Sequence, residues 1–344
     1  MLISGTARWR LVAAELTRME ILGVFQGAQG PPVVILSAKD ARGGGTDLPI
    51  WIDPVQAHNI QLGLHGASAT RPTTHDLLCR VLDALDARVG EIVVEDLEQT
   101  TFYGQIAVDH AAAGGTRRWI DARPSDCLAL AARVKCPIFA RAKVLKAAGV
   151  PHDQRLDVLA AEQDGAAGRH ALPRSHPPEL AAADLVRVEV EGVYTTTDGV
   201  RVFLSPAAPG AWGDRVLAMP IDQAQAMSIQ LALDGQLTPR PFTHDLFSQI
   251  LNELGAIVDQ VVIDDFHEDA ATFFATLALQ VEREGSSARQ RFDARPSDGI
   301  ALAVRVGAPI LVANRIMQAA SIPRKEFGAV PLSEDEGDDL GIPR

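Results

Sequence analysis

The chain has 344 residues, enough for two or three domains, and its 47% hydrophobic and 22% charged content is ordinary for a packed globular protein. A net charge of -12 argues against a general binder of duplex nucleic acid. No apolar run reaches the ~18 residues a membrane helix needs, and arginines at both ends of residues 1–18 do not suit a secretory signal, so the expected compartment is the cytoplasm, with no membrane.

In chain order, Glu20–Phe25 and Val33–Ser37 read as strands, separated by Gly27, Gly30 and two prolines. Leu48–Ile52 is a third strand; Gly43-Gly44-Gly45 before it, with no following Lys-Ser or Lys-Thr, is a turn and not a phosphate loop. Pro54–Leu64 has helical spacing, and Thr74–Ala87 puts Leu77, Leu78, Val81, Leu82 and Leu85 on one face of a second helix. Strands at Glu91–Val94, Phe102–Val108 and Arg117–Ile120 follow, then helices at Pro124–Val134 and Val144–Ala148. Cys79, Cys127 and Cys136 are an odd set without metal-ligand spacing and read as free thiols.

The same order then recurs. Shifting the chain by 169 residues lays Ile52–Asp96 on Ile221–Asp265 without a gap, with 21 of 45 positions identical. Asp121-Ala-Arg-Pro-Ser-Asp126 matches Asp293-Ala-Arg-Pro-Ser-Asp298 at an offset of 172. This is a tandem duplication. The expected division is an N-terminal extension at 1–18, copy one at 19–150, a linker at 151–183, copy two at 184–322 and an acidic tail at 323–344. A short helix at Asp157–Gln163 is possible within the linker. Adjacent strands on short turns followed by helices predict an α+β fold, each copy a mixed β-sheet packed with helices. A duplicated domain often imitates a homodimer, so the copies are expected to pack as a pseudo-dimer. Copy one carries net -1 and copy two net -8.

Two motifs carry candidate chemistry. In Arg71-Pro-Thr-Thr-His-Asp-Leu77, Pro72 would end what precedes, Thr74 would cap a helix and Asp76 would face its dipole. His75 is then a partly exposed first-turn residue, or a general acid or base beside amides that attract phosphate, with Arg71 as a phosphate clamp. Copy two offers Arg240, His244 and Asp245. In the second motif, Ser125 or Asp126 would cap the helix opened by Pro124. Asp121 and Arg123 would form a buried salt bridge; alternatively, Asp121 and Asp126 are hard ligands for Mg²⁺ or Mn²⁺ with Arg123 on the phosphate, and Asp293, Asp298 and Arg295 repeat that set. His58, His65 and His110 have no counterpart in the second copy and read as polar surface; His152, His170 and His176 lie in the linker, too irregularly spaced for a metal site.

Leu48-Pro-Ile-Trp-Ile52, Arg-Pro-Thr-Thr-His-Asp-Leu, Thr101-Phe-Tyr-Gly104, Asp-Ala-Arg-Pro-Ser-Asp and Cys136-Pro-Ile-Phe139, in this order and spacing, resemble the bifunctional nuclease domain. The likeness covers about Met19–Val150 and Leu185–Ile322. It implies an α+β fold and nuclease action on RNA and DNA. Family members usually carry one copy, so the tandem departs from the pattern. So do Gln56-Ala57 and Gln225-Ala226, where an acid is typical, and Phe274-Ala275 in place of Tyr103-Gly104.

The leading expectation is therefore a nuclease on RNA or single-stranded DNA, assisted by Mg²⁺ or Mn²⁺. The alternatives are a non-catalytic interaction or regulatory module and a small-anion or nucleotide binder using the same helix N-termini.

Overall fold

The computed structural model describes residues 15–27, 30–39, 45–66, 72–111, 115–152, 159–162, 179–208, 210–236, 238, 240–268, 271–283, 286–326 and 330–331. Arg71, Gly43-Gly44, nearly all of 1–18 and most of the linker and tail lie outside these residues. By its internal contacts the chain divides into two compact units, residues 1–173 with 238–255, and residues 174–237 with 256–344.

In the first unit, strands β1 (Leu16–Gly27), β2 (Val33–Lys39), β3 (Gly45–Trp51), β4 (Ala87–Glu98), β5 (Thr101–His110), β6 (Thr116–Ala122), β7 (Ile138–Arg141) and β8 (Val150–Pro151) form one sheet in the order β6-β5-β4-β7-β1-β2-β3-β8. β9 (Leu159–Glu162) adds to β1. Among the described residues of this unit only β4 and β7 pair in parallel, so the sheet is mixed, as expected. Val33, Val34, Ile35 and Leu36 are all buried, which means that β2 is covered on both faces and explains its unbroken apolar run. Helices α1 (Pro54–Leu64), α2 (Thr74–Ala84) and α3 (Pro124–Val134) pack together, α3 lying against β4 and β5.

The second unit repeats the sheet: β10 (Leu185–Thr196), β11 (Gly199–Pro206), β12 (Arg215–Pro220), β13 (Ala256–His267), β14 (Thr272–Arg283), β15 (Ser286–Ala294), β16 (Ile310–Ala313) and β17 (Ser321–Pro323) run in the order β15-β14-β13-β16-β10-β11-β12-β17. Even the irregularities recur. Register shifts at Val89/Glu91 and Val94/Asp96 in β4 return at Val258/Gln260 and Ile263/Asp265 in β13, as conserved design features of a fold would.

Several expectations need correction. β1 begins at Leu16, inside the expected extension, and α2 stops at Ala84 because Leu85 caps it and Ala87 already pairs in β4. The segment expected as a helix at Asp157–Gln163 is strand β9 where it is described. The second repeat's helix Thr243–Glu253, although its sequence matches α2, groups with the first unit, where it packs on β6 and α2. It buries Leu246, Phe247, Ile250 and Leu251, each worth about 1.5–3 kcal/mol when withdrawn from water.

Candidate functional site

The two motifs meet in the first unit, and they meet on one carboxylate. Asp126 stands in the first turn of α3 and is only 1% exposed. Its Oδ1 accepts from His75 Nε2 at 3.0 Å and from Thr243 Oγ1 at 2.8 Å; its Oδ2 accepts from Arg123 Nε at 2.9 Å. Burial alone would raise the Asp126 pKa. The Arg123 charge, then the His75 and Thr243 hydrogen bonds, overcome it and hold the carboxyl well below the usual range.

These contacts replace the local roles expected from the sequence. Neither Ser125 nor Asp126 caps α3; Arg123 is its N-cap residue and makes no side-chain cap. Arg123 pairs with Asp126 rather than with Asp121, whose side chain is 51% exposed and faces Arg240 Nε at 3.7 Å. His75 is 4% exposed, not a partly exposed surface residue. Nε2 donates to the carboxylate, so in the neutral ring Nδ1 carries the free electron pair; Nδ1 is buried without a hydrogen-bond partner.

At α2 the cap is Thr73, one residue before the expected Thr74. Asp76 accepts the Thr73 amide at 2.8 Å and Arg133 Nε at 2.6 Å. Burial would raise the Asp76 pKa, but the Arg133 charge and these bonds lower it. In the second repeat Phe242 stands where Thr73 caps, so only half of the arrangement survives: the Phe242 amide donates to Asp245 at 2.8 Å. Its ring instead lies 4.9 Å from the Arg123 guanidinium carbon. His244 is buried on the same helix. Gln56 and Gln225 occupy the third position of helices capped by Asp53 and Asp222, and Gln225 returns the bond to the Asp222 amide, so both have a local capping setting.

Arg240 belongs to this cluster too. It donates to the carbonyls of Phe102, at 2.8 Å, and Ala122, and its guanidinium lies 4.2 Å from the centre of the Tyr103 ring. In the second unit, Arg295 holds Asp298 with both arms, Nε to Oδ2 at 2.8 Å and Nη2 to Oδ1 at 3.2 Å. Asp293 there is 2% exposed, unlike Asp121.

The donor set decides whether a cation fits. Both oxygens of Asp126 already accept hydrogen bonds from three donors, and both oxygens of Asp298 accept from Arg295. A Mg²⁺ or Mn²⁺ ion on either carboxylate would have to displace an arginine from a buried site, so direct coordination by these two aspartates does not fit the residues present. Among the described residues no three His, Cys, Asp or Glu side chains group closely enough to hold a metal.

Sequence reasoning passed over two features. Thr243 gave no signal beyond capping. His152, read as an irregular linker residue, places Nδ1 2.9 Å from Oδ1 of the fully buried Asp47. The three cysteines are free; burial pushes the Cys79 thiol up to about 12, Cys136 to about 11 and Cys127 well above its usual value, so none is a thiolate at neutral pH.

The bifunctional nuclease domain profile matches residues 34–153 and again 210–325. The chain belongs to the bifunctional nuclease domain family, with two copies of the domain in tandem. Two uncharacterized proteins of Mycobacterium tuberculosis, from different strains, are each 36% identical over 133 residues, which is 38% of this chain and 76% of theirs. Among the described residues no helix is long and apolar enough to cross a membrane.

Proposed function

We propose that the chain hydrolyses phosphodiester bonds of RNA or single-stranded DNA, with the Asp126–His75 pair of the first unit as its acid–base centre. The observation that carries this reading is the 3.0 Å contact between His75 Nε2 and Asp126 Oδ1, which leaves Nδ1 as an unpartnered base. A carboxylate that fixes the imidazole tautomer and stabilises the imidazolium is the recurring support for a histidine base. His75 Nδ1 would take the proton from the attacking hydroxyl, a water on DNA or the ribose 2′-OH in RNA. As the new P–O bond forms, the P–O bond to the leaving oxygen breaks and that oxygen is protonated by solvent; the 2′,3′-cyclic phosphate formed from RNA is then opened by water. Arg123, with a side chain 21% exposed and Nη1 outside its bonds to Asp126 and Thr243, would offset charge on the phosphate. Because Nδ1 lies below the surface, substrate entry has to displace neighbouring side chains.

A second reading has its own observation. Asp126 is fully enclosed by donors, which also describes a structural ion-pair cluster in a non-catalytic interaction module. One experiment separates the two. On labelled RNA and single-stranded DNA, with and without Mg²⁺ or Mn²⁺, His75→Gln should cut turnover by ~10²-fold or more, as loss of a general base does, at a nearly unchanged melting temperature. A large fall in melting temperature, or wild-type protein that cleaves neither substrate, supports the structural reading.

A further inference from the structure

The Asp126 cluster is not built from first-repeat residues alone. Thr243 donates to Asp126 Oδ1 at 2.8 Å and accepts from Arg123 Nη2 at 3.0 Å. One hydroxyl can do both, since it carries one proton and two lone pairs. The oxygen that it holds is the one that His75 uses.

The first repeat has its own threonine at the matching place, Thr74, but Thr74 and His75 are neighbours on α2. Adjacent helical residues point about 100° apart, so one helix cannot aim both side chains at one carboxylate oxygen. The threonine has to come from a different helix, and the second repeat's sequence provides it. Three residues earlier, Arg240 ties the segment to the carbonyls of Phe102 and Ala122, at the ends of β5 and β6 that border Asp126's helix.

We propose that Thr243 is a positioning residue for the Asp126–His75 pair, and that the pair is complete only when the second repeat's Arg240-Pro-Phe-Thr243 segment is seated in the first unit. Freed from that hydroxyl, Arg123 could turn Nη2 as well as Nε onto Asp126, a two-armed geometry that an arginine and an aspartate at the same spacing adopt in Arg295 and Asp298. If Arg123 did the same, its Nη2 would compete with His75 for Oδ1. The hydrogen bond that selects the Nε2–H form of His75 would weaken. The bearing of this on hydrolysis rests on the proposed function, but the positioning itself does not.

The test uses the full chain, with imidazole ¹⁵N signals reporting the His75 tautomer. In wild-type protein His75 should hold the Nε2–H form alone. Thr243→Val should lose that exclusivity and Thr243→Ser should restore it. Where hydrolysis is measurable, Thr243→Val should lower kcat about 5–10-fold, the worth of one hydrogen bond, with KM little changed. An unaltered tautomer in Thr243→Val, a failure of Thr243→Ser to restore it, or a rise in turnover would overturn the proposal, the last by making the segment a plug. Should Thr243→Val not fold, Arg240→Lys, which keeps the charge but not the forked donor, must shift the tautomer the same way. Wild-type protein without hydrolytic activity would sink the nuclease reading while the tautomer still decides this one.

Discussion

The two units run the same strand order and the same register shifts, yet at matched positions they meet the same physical need with different atoms. On β6, Arg117 pairs with Asp109 of β5 and with Glu91 of β4. On β15, its counterpart Arg289 pairs with Asp259 of β13, while the position of Asp109 holds Gln280. Gly104 of β5 becomes Ala275 in β14, and Cys127 of α3 becomes Gly299. A Cβ on Gly104 would come 2.9 Å from the Cys127 sulfur, so the methyl gained on the strand is matched by a side chain lost from the helix. The comparison teaches that both units keep a carboxylate near that arginine and one filled volume between strand and helix without keeping particular residues at particular positions. Where identity does persist, as in Asp-Ala-Arg-Pro-Ser-Asp, both units keep the same arginine–aspartate pair, Arg123 with Asp126 and Arg295 with Asp298.

The largest test of that last point is at Asp126. Asp126→Ala removes the acceptor shared by Arg123, His75 and Thr243 and leaves a partly buried cation unpaired, a change that costs about 3–5 kcal/mol in comparable sites. Urea unfolding would measure it. The acid dependence has a definite sign. The folded-state pKa of Asp126 is depressed, so its contribution is present above the unfolded value near 3.9 and is lost as pH falls from there toward the folded value. Stability of the wild-type protein should decline below about pH 4, and Asp126→Asn should decline less over that window. A cost under about 1 kcal/mol for Asp126→Ala would place this pair among surface ion pairs and remove the contrast with the interchangeable positions.

Much of this was legible before any coordinates, for reasons tied to local pattern. The apolar face Leu77, Leu78, Val81, Leu82 announces α2, and Pro124 opens α3 at its first residue, because periodicity and backbone restriction act over a few residues. The α+β class followed from the order of elements. The candidate site was legible only in part. His75 and Arg123 were recognisable as chemistry-bearing residues, but their common partner, Asp126, was read as a cap or ligand, since nothing local reveals a contact 51 residues away. Arg240 was assigned to the second repeat's own site and Thr243 to none, because sequence similarity says which segment resembles which, not where a segment docks. Asp121 and Asp126, alike in sequence context, differ in exposure because one points from a strand to solvent and the other sits inside the first turn of a helix.

A smaller effect is expected at the strand–helix volume. Gly104→Ala, made alone, should destabilise the first unit by about 1–3 kcal/mol, the usual cost of overpacking. Cys127→Gly, made alone, should also cost, through a helix-interior glycine and lost packing. Together they recreate the pair found at Ala275 and Gly299, so the double variant should be more stable than the two single costs predict, by at least about 1 kcal/mol. Denaturation of the four proteins gives the coupling directly. Simple additivity would mean that the matched substitutions in the two repeats are unrelated.

The smallest effect concerns the arginines on the outer strands. Arg117 and Arg289 are both well exposed, so each ion pair should contribute less than about 1 kcal/mol and weaken in salt. Their value lies in moving the carboxylate. A Cβ on Gly90 would come 2.3 Å from Asp109 Oδ2, so Gly90→Asp alone would both crowd Asp109 and set two carboxylates against each other. Adding Asp109→Gln removes the second charge and leaves the arrangement of the second unit, where the acid stands at the Gly90 position and Gln280 stands across. Gly90→Asp with Asp109→Gln should therefore lie within about 0.5 kcal/mol of wild type, the range of ordinary surface changes, whereas Gly90→Asp alone should fall outside it. If the double variant is as unstable as the single one, the two strands are not interchangeable hosts for the acid, and the equivalence drawn between the repeats fails where it was expected to be easiest to satisfy.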